Sequence, residues 1–186
     1  MRITIVRHGK PDFEWRRYVR GSEFRSLEKA YDSAGIVGNP PKETFNLVDQ
    51  HKCIVCSDLP RSIQSAKALG ANTIHLSSAV FREMNLPYFN QVPIKLPLKH
   101  WVVLLRSFWF LGFSKNTESI ATAKYRAKKA SEQLIDLAAE HSSVLFLGHG
   151  IINHYVAKEL LKNDWVGPRN PGNKHWEFGT YEYPRT

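Results

Sequence analysis

Residues 2–9 read Arg-Ile-Thr-Ile-Val-Arg-His-Gly, and this stretch decides the fold of the chain. The apolar run predicts a buried β-strand that stops at Arg7 and His8. Open α/β sheets bind their ligands at the carboxyl ends of the strands. We expect Gly9 to let the backbone turn there and to let a ligand approach closely. The stretch therefore predicts a cation and an imidazole at the binding edge of a sheet.

Two later apolar runs, at residues 53–56 and 144–147, predict further buried strands with polar ends. The polar residues at these ends are Ser57, Asp58, Arg61 and His149, the last one between Gly148 and Gly150. Strand ends of a doubly wound sheet lie side by side, so we expect two arginines, two histidines and the free N–H groups of a helix N-terminus to converge. Such a site suits a dianionic phosphoryl group. No carboxylate cluster with metal-ligand spacing accompanies it, so we expect neither a metal nor another cofactor.

Strands that alternate with helices predict the α/β class, as a three-layer α/β/α sandwich with a mostly parallel central sheet and a small inserted cap. The other predicted elements are a loop with a short helix over 14–35, a helix over 42–50, a helix capped by Ser57 or Asp58 that runs to Leu69, a strand over 73–76, helices over 118–140 and 150–162, and an edge strand over 176–183.

Length and charge restrict the organisation and the partners. A chain of 186 residues predicts one domain over residues 1–186. The net charge of +9 favours anionic partners, although it also serves solubility. No Lys/Arg run is long enough for a nucleic-acid tail, so we expect a small-molecule phosphoester as partner and no nucleic acid.

Cys53 and Cys56 are the only cysteines, and they lie three residues apart in an apolar run. Side chains three apart on a strand point to opposite faces, and a zinc site would need two more ligands nearby. We therefore expect two buried core thiols. The chain opens directly into a strand, which predicts no signal peptide and a reducing cytoplasm as the compartment.

The three strand ends together resemble the histidine phosphatase superfamily, branch 1, whose fold is phosphoglycerate mutase-like. The resemblance rests on the Arg-His-Gly at residues 7–9, on Arg61 and on the Gly-His-Gly at residues 148–150. Supporting matches are Phe81-Arg82-Glu83 where the family places its acid, Glu118-Ser119 at the start of a helix that carries Arg126, and Tyr31-Asp32-Ser33-Ala34-Gly35 as a pre-helix turn.

The resemblance implies a role for each of five residues. His8 is the nucleophile and forms a phosphohistidine, with its other ring nitrogen donating to a backbone carbonyl near Gly9. Arg7 and Arg61 hold the phosphoryl oxygens, and a protonated His149 stabilises the charge on the transferring group. Glu83 is the general acid and then activates water.

The remaining histidines have no motif context and are interpreted as structural; they are His51, His75, His100, His141, His154 and His175. Lys10 is placed near the pocket.

We expect a metal-independent phosphatase of small phosphomonoesters. A phosphoglycerate mutase, a phosphoprotein or phosphohistidine phosphatase, and a catalytically dead binding module remain as alternatives. Glu83 argues against the phosphohistidine phosphatase, because very small family members of that type usually lack the acid.

The segment at residues 84–116 departs from the pattern, because it holds strongly apolar stretches within 101–113. It is too short and too interrupted to span a membrane. Four interpretations stay open: a cap helix packed on the core, a wall of the substrate pocket, a face for a homodimer, and an anchor at a membrane surface. We favour the first, since buried packing explains most apolar runs.

Overall fold

A computed structural model describes residues 1–184 of the chain. The elements in chain order are strands β1 (Arg2–Arg7) and β2 (Tyr18–Arg20), helix α1 (Phe24–Ser33), strand β3 (Cys53–Ser57), helix α2 (Pro60–Ala68), strands β4 (Leu76–Ser78) and β5 (Lys95–Pro97), helices α3 (Leu98–Phe110) and α4 (Ile120–His141), strand β6 (Ser143–Gly148), helix α5 (Gly150–Lys162) and strand β7 (Phe178–Glu182).

The central sheet has five strands in the order β4-β3-β6-β1-β7. The first four are parallel, and only β7 runs antiparallel, at the edge beside β1. The mostly parallel α/β sheet and the edge strand expected over 176–183 are therefore confirmed. This order sets the carboxyl ends of β3, β6 and β1 next to one another.

Helices cover both faces of the sheet, as a three-layer sandwich requires. On one face α4 and α5 pack against alternate residues of the strands, and the apolar stripe of α4 at Ala123, Ala127, Ala130 and Leu134 is fully buried. On the other face α2 contributes Ala66. Cys53 and Cys56 are free and buried, one in each of these two cores, as the spacing predicts.

The expected helix over 42–50 is wrong. Only a 3-10 turn at Lys42–Thr44 forms, followed by further turns whose hydrogen bonds mostly span three residues. The physical reason is the side chain of His51, which is buried against the sheet. Its Nδ1 contacts the Leu47 carbonyl at 2.6 Å and its Nε2 contacts Thr4 Oγ1 at 2.9 Å, which draws the chain inward.

Two other elements, β4 and α2, begin at different residues from those expected. The strand expected over 73–76 forms at Leu76–Ser78, because His75 Nδ1 accepts the Ile54 N–H in place of a backbone carbonyl. The N-cap of α2 is Leu59 rather than Ser57 or Asp58, with Pro60 in the first turn as expected. Asp58 instead forms a bidentate pair with Arg82, with both contacts at 2.6 Å.

The inserted cap is built on α3 together with a small two-stranded sheet that the sequence did not reveal. Strands β2 and β5 pair antiparallel, and Val19 packs with Phe24, Leu98, Trp101 and Leu105 in a separate small core. Trp109 joins this cap to the main core, where it is fully buried and donates its indole N–H to the Glu118 carbonyl at 2.8 Å. Within residues 1–184 no helix is both long and apolar enough to cross a bilayer.

Candidate active site

The register of the sheet brings the three polar strand ends together. β6 lies between β1 and β3, with Arg7 opposite Gly148 in the parallel ladder. The ladder continues one residue further, because the His8 N–H donates to the Gly148 carbonyl at 3.0 Å. His8 and His149 therefore emerge side by side, with ring centroids 4.9 Å apart.

His8 is buried and oriented by its own turn. Nδ1 lies 2.7 Å from the Gly9 carbonyl, which can only accept a hydrogen bond, so Nδ1 carries the proton. Nε2 then keeps its lone pair. Burial lowers the pKa of His8 to about 3; the bond to Gly9 opposes this shift, while the nearby cations Arg61 and Arg7 add to it. His8 is thus a neutral imidazole at physiological pH, as attack on phosphorus requires.

His149 is fully buried at the N-cap of α5. Burial, followed by the neighbouring His8, Arg61 and Arg7, holds its pKa well below the usual range. The protonated ring expected from the sequence is therefore wrong in this structure, because burial and the neighbouring cations disfavour a charge there. The neutral ring still offers a donor: Nε2 lies 2.6 Å from Ser57 Oγ, which can give it a proton and leave the ring proton on Nδ1.

Arg61 comes from the first turn of α2 and is 1% exposed. Nη1 donates to the Tyr31 carbonyl at 2.9 Å, Nη2 contacts Asp32 Oδ1 at 3.2 Å, and the guanidinium lies over the Tyr31 ring at 4.4 Å. Tyr31 and Asp32 end helix α1, rather than forming the expected pre-helix turn. Their contacts hold the arginine in place.

Arg7 is half-buried at the end of β1. Its Nη1 donates to the Asn173 carbonyl. Within the described chain, its Nε, the Nε of Arg61 and the Nδ1 of His149 are buried with no hydrogen-bond partner. Unpaired buried donors are costly, so three of them around His8 form a site suited to an anion with several acceptor oxygens.

Glu83 occupies the N-terminus of α5. Its Oε1 accepts from the N–H groups of Met84, Ile151 and Ile152 at 3.0–3.1 Å, and Oε2 accepts from Ile151 at 3.1 Å. The helix N–H groups that the sequence analysis left free for the ligand are therefore taken by this carboxylate. The Arg7 guanidinium lies on the same side, because a Cβ placed on Gly150 would meet Arg7 Cζ and Glu83 Oε2, each at 3.5 Å.

Arg126 fixes the segment that carries Glu83. Its Nη1 donates to the carbonyls of Val80 and Arg82 at 2.9 and 2.7 Å, and its Nη2 to that of Glu83 at 3.3 Å. The guanidinium is held in turn by the Glu118 carboxylate. Both residues belong to the sequence matches that support the family resemblance. In the structure, Arg126 binds three carbonyls of one short segment and Glu118 holds Arg126 in place.

Two glycines of the site are required by packing. A Cβ on Gly9 would lie 2.4 Å from the Trp176 ring, and one on Gly148 would lie 2.0 Å from Asn153 Oδ1. Both contacts are far inside van der Waals distance. Gly9 thus admits an indole, rather than the ligand approach that the sequence suggested.

His175 is a neighbour that the sequence analysis missed. Its ring centroid lies 5.3 Å from that of His8, and its Nδ1 lies 3.2 Å from the His8 carbonyl. It arrives on a loop before β7 that also brings Asn173 to Arg7. No pattern near residue 175 signals this, because only the antiparallel return of the chain places it there. Of the residues placed near the pocket, Ser57 contacts His149, whereas Lys10 is exposed and Asp58 faces Arg82.

The low pKa of His8 predicts how stability depends on pH. Unfolded His8 takes up a proton below pH 6.5, whereas folded His8 stays neutral down to about pH 3. The unfolded state then binds more protons, so stability falls as pH falls, by about 1.4 kcal/mol per pH unit for this residue. His8→Asn removes that part of the slope. Urea titrations between pH 4.5 and 8 should show a shallower acid limb for the variant and parallel curves above pH 7.5. If the free energies of unfolding of wild type and variant stay parallel over the whole pH range, the lowered pKa of His8 is contradicted.

Comparisons with known proteins bear on the resemblance drawn from the strand ends. No functionally curated protein matches the sequence significantly. Among solved structures, the chain is similar to the Rv3214 protein of Mycobacterium tuberculosis, with 16% identity, a TM-score of 0.62, and coverage of 96% of this chain and 89% of that one. It is also similar to mycobacterial glucosyl-3-phosphoglycerate phosphatase Rv2419c, with 18% identity, a TM-score of 0.59, and coverage of 96% and 88%.

A third similar structure is phosphoserine phosphatase of Entamoeba histolytica in complex with 3-phosphoglyceric acid, with 15% identity, a TM-score of 0.54, and coverage of 87% of this chain and 80% of that one. At these identities the structures support the fold. The family model of the histidine phosphatase superfamily, branch 1, matches residues 3–182, nearly the whole chain. The resemblance drawn from the strand ends is thereby confirmed, and the chain belongs to the histidine phosphatase superfamily, branch 1.

Proposed function

We propose that the protein is a metal-independent phosphatase that hydrolyses a small phosphomonoester through a phosphohistidine on His8. The observation that carries the proposal is the site around Nε2 of His8: a neutral imidazole beside three buried donors that lack protein partners. Membership of a superfamily of phosphatases and mutases supports it, as do the phosphatases with a similar fold.

The first step forms a bond between Nε2 of His8 and phosphorus and breaks the bond to the leaving oxygen. Arg7, Arg61 and His149 donate to the phosphoryl oxygens as negative charge shifts onto them. Glu83, in its protonated form, gives its proton to the leaving alkoxide. In the second step the Glu83 carboxylate takes a proton from water, water oxygen attacks phosphorus, and the N–P bond breaks to release phosphate and neutral His8.

His8→Ala should abolish hydrolysis of p-nitrophenyl phosphate, because no other group in the site replaces Nε2 as nucleophile. Wild-type protein quenched during turnover should carry one acid-labile phosphoryl group, seen by mass spectrometry, and the variant none. EDTA should leave the wild-type rate unchanged. His141→Ala is the matched control and should keep full activity, because His141 ends α4 just before β6, at the amino ends of the strands and away from the site. A His8→Ala variant as active as wild type would refute the proposal, and isomerisation of 3-phosphoglycerate faster than its hydrolysis would favour the mutase alternative.

The clamp by Arg126 should matter most when the leaving group needs a proton. Arg126→Met frees the carbonyls around Glu83, and a misplacement of about 1 Å can cost roughly 100-fold in rate. We expect a large loss in kcat/KM with an alkyl phosphate and a much smaller loss in kcat/KM with p-nitrophenyl phosphate. The value of kcat/KM reports steps up to departure of the leaving group, and the phenolate leaves without help. Glu83→Gln should show the same split.

The control for that experiment is Arg82→Met, which removes the neighbouring arginine but leaves the clamp intact, since Arg82 pairs with Asp58 and is half-exposed. Arg82→Met should not appreciably lower the hydrolysis of the alkyl phosphate or of p-nitrophenyl phosphate. Equal losses on both substrates in Arg126→Met would indicate a general structural defect and contradict a role through Glu83.

A further inference from the structure

An apolar cavity of about 210 Å³ opens beside the phosphate site. Its wall includes both Arg61 and Glu83, so it is continuous with the reacting groups. The leaving group must lie on the Glu83 side of phosphorus, since Glu83 is the proton donor in the proposed function. The cavity is therefore where the leaving group of the substrate lies.

The cavity is formed by α1, α3 and the segment after Glu83. The apolar side chains that define its character are those of Phe13, Phe24, Leu27, Leu86, Leu98 and Val102. The polar lining residues besides the reacting groups are Glu28, Asp32, Asn85 and Arg106. The apolar side chains form the larger part of the wall, so most hydroxyl groups of a sugar or glycerol moiety would lose water against apolar surface. Walls like these favour a leaving group that is itself apolar.

Charged side chains also line the cavity, and two of them are largely removed from water. Burial, with a smaller contribution from Asp32, raises the pKa of Glu28 to about 7, although Arg106 opposes the shift. Arg106 gives one hydrogen bond, from Nη2 to the Met84 carbonyl at 2.7 Å, and its Nη1 has no partner in residues 1–184. This Nη1 can therefore serve one acceptor atom on a leaving group that is otherwise apolar.

We infer that the substrate is a phosphomonoester with an apolar leaving group, either an aryl group or a short alkyl chain, rather than a phosphorylated sugar or polyol. This inference rests on the proposed function and narrows its substrate class. Val102 on α3 is the specificity residue that it singles out, because this side chain lines the cavity while Val103 beside it is 66% exposed.

Straight-chain phosphates from ethyl to pentyl test the inference. Each added methylene should raise kcat/KM about fourfold while the cavity fills. Propyl phosphate should exceed glycerol 3-phosphate, which is of similar size, by about tenfold or more. Val102→Phe should remove the chain-length dependence, and Val103→Phe should keep the wild-type dependence on chain length.

The possible outcomes distinguish a failure of the apolar substrate class from a failure of the proposed phosphatase function. Equal kcat/KM for all chain lengths, with every activity lost in His8→Ala, would overturn the apolar substrate class and leave the phosphatase intact. A preference for glycerol 3-phosphate over propyl phosphate would do the same. No hydrolysis of any ester by the wild-type protein would overturn both.

The outer face of α3 carries a second inference, on independent grounds. Its apolar side chains are exposed at Val103 (66%), Leu104 (37%), Phe108 (38%), Phe110 (50%) and Leu111 (84%). Apolar patches of this kind on a soluble fold mark interaction sites. Residues 84–117, which include this helix, hold no Asp or Glu. Of their four Lys or Arg, Arg106 lines the cavity, whereas Lys95, Lys99 and Lys115 are exposed, and Lys99 lies on the helix itself.

We propose that this face of α3 docks on an anionic lipid bilayer. An apolar helix face flanked by basic residues is the pattern that inserts at the headgroup boundary. A second copy of the chain fits less well, because it would bring two basic, acid-free surfaces together. The arrangement would also set Val102 and the cavity close to the bilayer, since Val102 and Val103 are adjacent on the helix.

Sedimentation with vesicles tests this docking. The protein should bind phosphatidylcholine vesicles containing phosphatidylglycerol, bind pure phosphatidylcholine much less, and dissociate as salt is raised. The double variant V103D/L111D should lose binding by about tenfold or more, because charges are costly at the boundary. Tyr125→Asp, at an exposed aromatic residue on α4, is the matched control and should bind like wild type. No binding to the anionic vesicles would overturn the proposal, as would a dimer that V103D/L111D converts to a monomer.

Discussion

The parallel pairing of β1 with β6 is the constraint on which the rest of the site depends. Its last hydrogen bond, from the His8 N–H to the Gly148 carbonyl, sets His8 beside His149. Asn153 reinforces the same pair of strands from α5 by donating to the Val6 carbonyl at 3.1 Å, and it needs Gly148 to come that close. A slip of one residue would turn every side chain of β1 to the opposite face and remove His8 from the site.

Positive charge and burial act together around His8. Burial lowers the pKa of both histidines, and Arg61 and Arg7 lower it further, so the protein holds two neutral imidazoles between two cations. The same donors that disfavour protonation favour an anion, because a phosphoryl group supplies the acceptor oxygens that the protein itself does not. The same two arginines therefore help to keep His8 neutral and provide donors for an anion.

The inserted segment fits several roles at once. The cap helix α3 packs on the body of the protein through Trp109, lines the cavity through Val102, and leaves Val103 and Leu111 exposed. The first interpretation of the apolar run, a helix packed on the core, is confirmed. The pocket-wall interpretation is part of the proposed specificity, and the membrane interpretation is a proposal to be tested. One helix can serve all three roles, because its different faces meet the core, the cavity and the surface.

The amino-acid sequence by itself determined the parallel sheet, the helices at Ile120–His141 and Gly150–Lys162, and the grouping of Arg7, His8, Arg61 and His149 at the strand ends. Glu83 joined this group only through the family resemblance. Hydrophobic period and strand ends are local signals, and they are strong here. Tertiary structure alone decided that His175 and Asn173 return to the site, that Glu83 occupies the N-terminus of α5, and that His149 is neutral. These features arise from contacts between distant segments and from burial, so no local pattern near the residues concerned carries them.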